Sequence, residues 1–135
     1  MTCPPAPPVH DPRAPIGFGT AVVTCLRKSV RARGRASRAE FWYFVLFCLG
    51  VFLVAGLAGA VIGGEAWASG FFAGAYVLLL VPWVAAGMRR LHDTGRGGGW
   101  CFLLFSMIGM IVVLVLWTEP GQPQPNRFGL TPRPG

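Results

Sequence analysis

The chain has 135 residues, 53% of them hydrophobic and only 13% charged, with a net charge of +7 and a pI near 10.3. An average soluble domain is about one quarter charged, so this composition excludes a soluble globule with an ordinary polar coat. The Arg and Lys residues flank apolar runs, which points to an anionic membrane surface as the basic chain's partner rather than to nucleic acid.

Residues 1–15 read MTCPPAPPVHDPRAP, and so many prolines predict a disordered head. Neither a cleavable signal peptide nor a lipoprotein signal is expected, because this stretch is proline-rich and Cys3 has no apolar segment before it.

Phe18, Val22, Leu26 and Val30 recur every four residues, while Arg27, Lys28 and Arg31 project from the other side. The pattern predicts a short amphipathic in-plane helix over 18–33, with its apolar face among lipid headgroups. It serves equally a short helix packed on the rest of the protein, and both readings stay open.

Gly34 ends that pattern, and Ser37-Arg38-Ala39-Glu40 reads as a capping box. The Ser37 hydroxyl accepts from the Glu40 amide, and the Glu40 carboxylate reaches back to the Ser37 amide. The next helix therefore starts near Arg38. Its apolar run, 41–62, is long enough to cross a hydrocarbon core of about 30 Å. It carries no polar stripe of the kind a soluble helical bundle needs.

Gly63-Gly64-Glu65 is a turn, and a second span covers 67–88. Pro82 lies inside it, frees the Leu78 carbonyl and predicts a kink. Residues 89–99 form a glycine-rich loop. Residues 100–117 are a third, uncharged span bounded by Trp100 and Trp117, and 118–135 an irregular tail. The expected fold is all-α: one integral membrane domain over 16–135, with three transmembrane helices preceded by the amphipathic helix.

Orientation follows from the basic residues. Arg27, Lys28, Arg31, Arg33, Arg35 and Arg38 precede span one, Arg89, Arg90 and Arg96 follow span two, and the turn between the spans holds only Glu65. The N-terminus and the arginine loop are thus expected in the cytoplasm, and the tail outside. A re-entrant third run would return the tail to the cytoplasm.

Gly59 and Gly63 in span one, and Gly70 and Gly74 in span two, form two G-x-x-x-G pairs. Glycines let helix backbones approach closely in lipid. An intrachain hairpin contact is the simpler reading, and a homo-oligomer or another membrane protein as partner the sharper one.

Chemistry concentrates in two segments, GRASRAEFWYF at 34–44 and RRLHDTG at 89–95. Antiparallel spans bring both to one membrane side. Glu40 and Asp93 are then the nearest carboxylates for Arg35, Arg38, Arg89, Arg90 and Arg96, which leaves about three cations for anionic headgroups. Trp42 adds an interfacial anchor. Internal salt bridges with positive-inside charge are the plainer account of each arginine alone. His92 and Asp93 diverge by about 100° on a helix, so they make a poor acid–base pair. No metal spacing joins Cys3, Cys25, Cys48 and Cys101, and the glycines at 95–99 lack the lysine of a phosphate loop. Neither cofactor nor metal is expected.

The same segments carry a family resemblance. GRASRAEFWYFVLF, then MRRLHDTGRGGGW, a third span and GQPQPNRFGLTP resemble the domain-of-unknown-function 805 family over roughly 18–132. Its pattern falls on Gly34, Arg35, Ser37, Arg38, Glu40, Phe41 and Trp42, on Arg89, Arg90, Leu91, His92, Asp93, Gly95 and Trp100, and on Gly121, Asn126, Gly129 and Pro132. Two departures bear on the third span. Gly98-Gly99-Trp100-Cys101 replaces the usual Ser-Gly-Trp-Trp, and Ser106 replaces a proline. The resemblance implies a small bacterial inner-membrane protein and carries no established activity.

The functional expectation is a non-enzymatic, multi-pass inner-membrane protein whose cytoplasmic arginine face binds anionic headgroups or a protein partner. The alternatives are a subunit of a transporter or channel, and an enzyme acting on a lipid phosphate through Glu40, His92 and Asp93.

Overall fold

The computed structural model describes residues 16–29, 33–130 and 132. The disordered head expected at 1–15, and Val30 and Arg31 on the amphipathic pattern, lie outside these residues. Among the described residues there are four α-helices, one 3-10 helix and no strand beyond an isolated Asn126–Gly129 bridge.

Helix α1 spans Phe18–Arg27. It stops short of the expected residue 33, where the backbone N–H of Lys28 closes the last turn onto the Thr24 carbonyl. Ala21, Val22 and Cys25 form its buried face, whereas Phe18 and Leu26 stay exposed. Small side chains allow α1 to pack closely on the rest of the protein, and the expected Phe18–Val22–Leu26 stripe is split between inside and outside.

Helix α2 is Arg38–Gly63 and helix α3 is Glu65–Asp93. Ser37 Oγ accepts from the Glu40 amide at 3.2 Å and sets the start of α2. Gly64, at φ +77°, occupies the left-handed region that lets the chain reverse into α3 with no further residues. At 1.5 Å per residue the helices run about 39 and 44 Å, enough to cross a bilayer. Only 11% of the most apolar stretch of α2 and 28% of that of α3 is buried against the chain itself. Leu46, Leu53, Leu57, Leu78 and Val81 point outward, an apolar surface too continuous for water.

The glycine pairs divide. A Cβ on Gly59 would lie 2.6 Å from the Ala68 amide nitrogen, and one on Gly63 would meet the Trp67 ring. These two are where α2 and α3 approach. A Cβ on Gly70 or Gly74 meets nothing within 4 Å. The hairpin contact is thus made by one of the two pairs: α2 sets Gly59 and Gly63 against Ala68 and Trp67, while Gly70 and Gly74 border an open cavity shared with Ala55 of α2.

The third apolar run is not one helix. Gly98–Phe105 is a 3-10 helix, Ser106 is extended, and α4 runs Met107–Thr118. Ser106 Oγ accepts from the Gly109 amide at 3.1 Å, so Ser106 caps a new helix. Neither piece spans a bilayer: α4 is about 18 Å long and the 3-10 helix about 16 Å. The pieces form a hairpin. A Cβ on Gly98 would sit 3.5 Å from Met88 and His92, and the Trp117 indole nitrogen donates to the Gly87 carbonyl at 3.2 Å. Both ends of the run thus lie beside the end of α3, and the tail stays at the end of the bundle where α2 begins. The expected single span at 100–117, with the tail on the opposite side, is corrected.

The core gathers at this same end. Trp117 is its centre, 4.6 Å from the Phe41 ring and edge-on to Trp83 at 5.4 Å, with Phe44, Leu91 and Val113 around it. Gly87 makes the room, since a Cβ there would meet the Trp117 ring at 2.7 Å.

Candidate functional site

The polar residues at the start of α2 and the end of α3 do converge, as a buried network. The Arg35, Arg89 and Arg90 side chains are 1%, 1% and 0% exposed. Arg89 meets Glu40 at 2.6 Å. Arg35 meets Asp93 at 2.8 Å, and Arg90 pairs with the other Asp93 oxygen. Such charges are tolerated only when paired and hydrogen-bonded. Here backbone carbonyls complete the arginine shells. Arg35 donates to Gln124 O at 2.7 Å and to Gln122 O, and Arg90 donates to Trp117 O at 3.0 Å and to Glu119 O.

These contacts change the role of the expected arginine face. Arg35, Arg89 and Arg90 point inward, and Arg96 pairs with Glu119 at a half-exposed position. Of that group only Arg38 is exposed, and it forms no ion pair among the described residues. The charge count from the sequence, five arginines against two carboxylates, omitted Glu119 and the carbonyls of the tail. The capping box is also half made. Ser37 caps, but the Glu40 carboxylate turns to Arg89 instead of the Ser37 amide.

His92 serves the tail. Its Nδ1 lies 3.2 Å from the Gly34 carbonyl oxygen, which only accepts, so Nδ1 carries the proton. The ring stacks on Phe128 at 4.0 Å and 5°. The Asn126 amide donates to the His92 carbonyl, and the Gln122 backbone N–H to the Asp93 carbonyl, both at 2.9 Å. Glu40, His92 and Asp93 thus each have partners of their own, and among the described residues no side-chain hydrogen bond or ion pair joins any two of them. Gly121 lies against the Asp93 carboxylate with no room for a side chain.

Cys25 was not singled out from the sequence. Its thiol sits 3.7 Å from Glu40 Oε1 and 3.6 Å from Arg89 Nη2, fully buried. Burial first, and the Glu40 charge second, push the thiol up to about 11. Arg89 Nε is buried with no hydrogen-bond partner among the described residues. Among the described residues no group of three His, Cys, Asp or Glu side chains could hold a metal. The tail residues Gln122, Gln124 and Phe128 carry no signal of their own in the sequence; Asn126 stands in the family-like pattern, and the N-R-F-G run at 126–129 supplies the asparagine and the phenylalanine that hold His92.

At the end of the bundle where α2 begins, outside this network, lie the exposed cations Arg27, Lys28, Arg33 and Arg38. Phe18, Trp42 and Tyr43 are exposed beside them, with Phe18 and Tyr43 in edge contact at 5.8 Å.

The chain is similar to known proteins. Residues 29–130 match the family described as a protein of unknown function, DUF805. The inner membrane protein YhaH of Escherichia coli (strain K12) is 38% identical over 111 residues, which cover 80% of this chain and 92% of that protein. The inner membrane protein YhaI of the same strain is 34% identical over 115 residues, covering 84% and 95%. No solved structure matches the chain. The buried arginines, their carboxylates and the tail that closes over them all fall within the matched region, and the chain belongs to the DUF805 family, whose relatives here are inner membrane proteins.

Proposed function

We propose that this is a non-enzymatic bacterial inner-membrane protein that recognises the anionic headgroups of the cytoplasmic leaflet through α1 and the start of α2. Helices α2 and α3 cross the bilayer, the 3-10/α4 hairpin enters and returns, and the basic end faces the cytoplasm with the tail. The carrying observation is the sorting of the cations. Arg35, Arg89, Arg90 and Arg96 are tied to partners within the chain, whereas Arg27, Lys28, Arg33 and Arg38 stand exposed with no ion pair among the described residues. Exposed Phe18, Trp42 and Tyr43 supply apolar and interfacial anchors beside them. The separate partners of Glu40, His92 and Asp93 support the non-enzymatic reading.

The test titrates detergent-purified protein with fluorescent phosphatidylglycerol and phosphatidylcholine. Each surface cation contributes on the order of 1 kcal/mol, so roughly fivefold in affinity. The wild type is expected to prefer the anionic lipid, less so at high salt. Changing Arg27, Lys28, Arg33 and Arg38 together to Gln abolishes the preference. Equal affinity for both lipids in the wild type refutes the proposal.

A further inference from the structure

A polar cavity of about 570 Å³ lies between α1, the segment before α2 and the end of the tail. Its volume falls in the range of small-ligand sites, roughly 300–1,000 Å³. Arg27 and Lys28 line it, together with the hydroxyl-bearing Thr20, Thr24 and Ser37. Arg35 and Glu40 also reach it, but both are committed: Arg35 to Asp93 at 2.8 Å, and Glu40 to Arg89 at 2.6 Å. Glu40 is thus neutralised by Arg89, and Arg35 shares Asp93 with Arg90, so the cations at the wall without an ion pair among the described residues are Arg27 and Lys28. Ser37 is the N-cap of α2, so the positive end of a 26-residue helix opens on the same space.

We propose that this cavity binds a phosphate group carried by a small alcohol. The Arg27 guanidinium, the Lys28 ammonium and the hydroxyls of Thr20, Thr24 and Ser37 supply donors beside a helix N-terminus, and the carboxylate at the wall, Glu40, is held by Arg89, which suits an anion with several oxygens. The volume exceeds a bare phosphate and admits a phosphoglycerol-sized group. The site deepens the headgroup reading, because it lies on the helix whose exposed Phe18, Val23 and Leu26 would rest among the lipids. The same chemistry is offered by a lipid headgroup and by a soluble phosphate ester.

The experiment uses the full chain in detergent and in nanodiscs. Glycerol 3-phosphate is titrated by calorimetry in one arm, and phosphatidylglycerol against phosphatidylcholine in the other. The variants are Arg27→Gln/Lys28→Gln, the near-isosteric Thr24→Val, and Arg127→Gln, an exposed arginine that neither lines the cavity nor belongs to the headgroup-binding set, as a control. The expected result is saturable binding in at least one arm. It weakens at least tenfold in Arg27→Gln/Lys28→Gln and roughly fivefold in Thr24→Val, about one hydrogen bond's worth, but hardly in the control. Binding in the phosphatidylglycerol arm alone identifies a lipid headgroup as the source, and binding in both arms a free ester. Two outcomes overturn the proposal: no saturable binding in either arm, or equal losses in Arg27→Gln/Lys28→Gln and in Arg127→Gln with none in Thr24→Val. The second outcome leaves the general headgroup preference standing. Saturable ester binding with no lipid preference keeps the site and sinks the wider reading.

Discussion

Replacing Asp93 with Asn removes the carboxylate that two buried guanidinium groups share. The Arg35 and Arg90 side chains are 1% and 0% exposed and that of Asp93 4%, so water cannot compensate the lost charge. Breaking a buried pair on one side costs about 3–5 kcal/mol. Arg35 keeps the Gln122 and Gln124 carbonyls, and Arg90 keeps those of Trp117 and Glu119, which places the cost near the lower bound. A loss of about 3 kcal/mol lowers the folding equilibrium roughly a hundredfold. Titrating the protein in mixed micelles with a denaturing detergent, followed by tryptophan fluorescence, reads this as an earlier unfolding midpoint. Trypsin reads it locally, as faster cleavage after Arg127 once the tail is released. Arg96→Gln is the control, since its half-exposed pair with Glu119 contributes at most about 1 kcal/mol. If Asp93→Asn and Arg96→Gln shift the midpoint equally, the buried network does not hold this end together.

Gly59→Ala places a methyl group against the Ala68 backbone, which cannot yield, and is expected to cost about 1–3 kcal/mol in the same titration. Gly70→Ala and Gly74→Ala meet open space and are expected to be neutral or stabilising by up to about 1 kcal/mol. A reporter fused after residue 132 is expected to behave as cytoplasmic, active as green fluorescent protein and inactive as alkaline phosphatase; the opposite pattern refutes the re-entrant hairpin. Cys25, buried and with its thiol pushed up to about 11, is expected to resist maleimide at neutral pH until the protein is unfolded. Its raised value contributes stability that is complete below about pH 9 and is lost as the pH rises towards about 11, so the midpoint difference between wild type and Cys25→Ala shrinks over that window.

What the sequence discloses here is mostly local. The Ser37 cap and the length of α2 are legible because a cap and an apolar run are decided by neighbouring residues. The third run is not, because one serine among apolar residues separates a spanning helix from a hairpin, and composition is blind to the difference. Gly70 and Gly74 share their motif with Gly59 and Gly63, yet which pair meets the neighbouring helix depends on helical phase across the turn. The convergence of Glu40, Asp93 and the arginines follows from antiparallel helices. Their burial does not, because the groups that cover them come from Trp117, Glu119, Gln122 and Gln124, which reach Arg90 and Arg35 across 27 to 89 residues.

That long reach has a consequence for how the molecule is made. Arg35 and Asp93 can meet as soon as α3 has emerged, but the carbonyls that finish Arg35 and Arg90 belong to residues 117–124. Until those are synthesised, two guanidinium groups at the membrane surface are short of acceptors, and the end of the bundle stays open to water. Residues 117–124 therefore close this end of the bundle, and a chain truncated before residue 117 is expected to leave Arg35 and Arg90 short of acceptors and the Phe41 ring without its Trp117 neighbour.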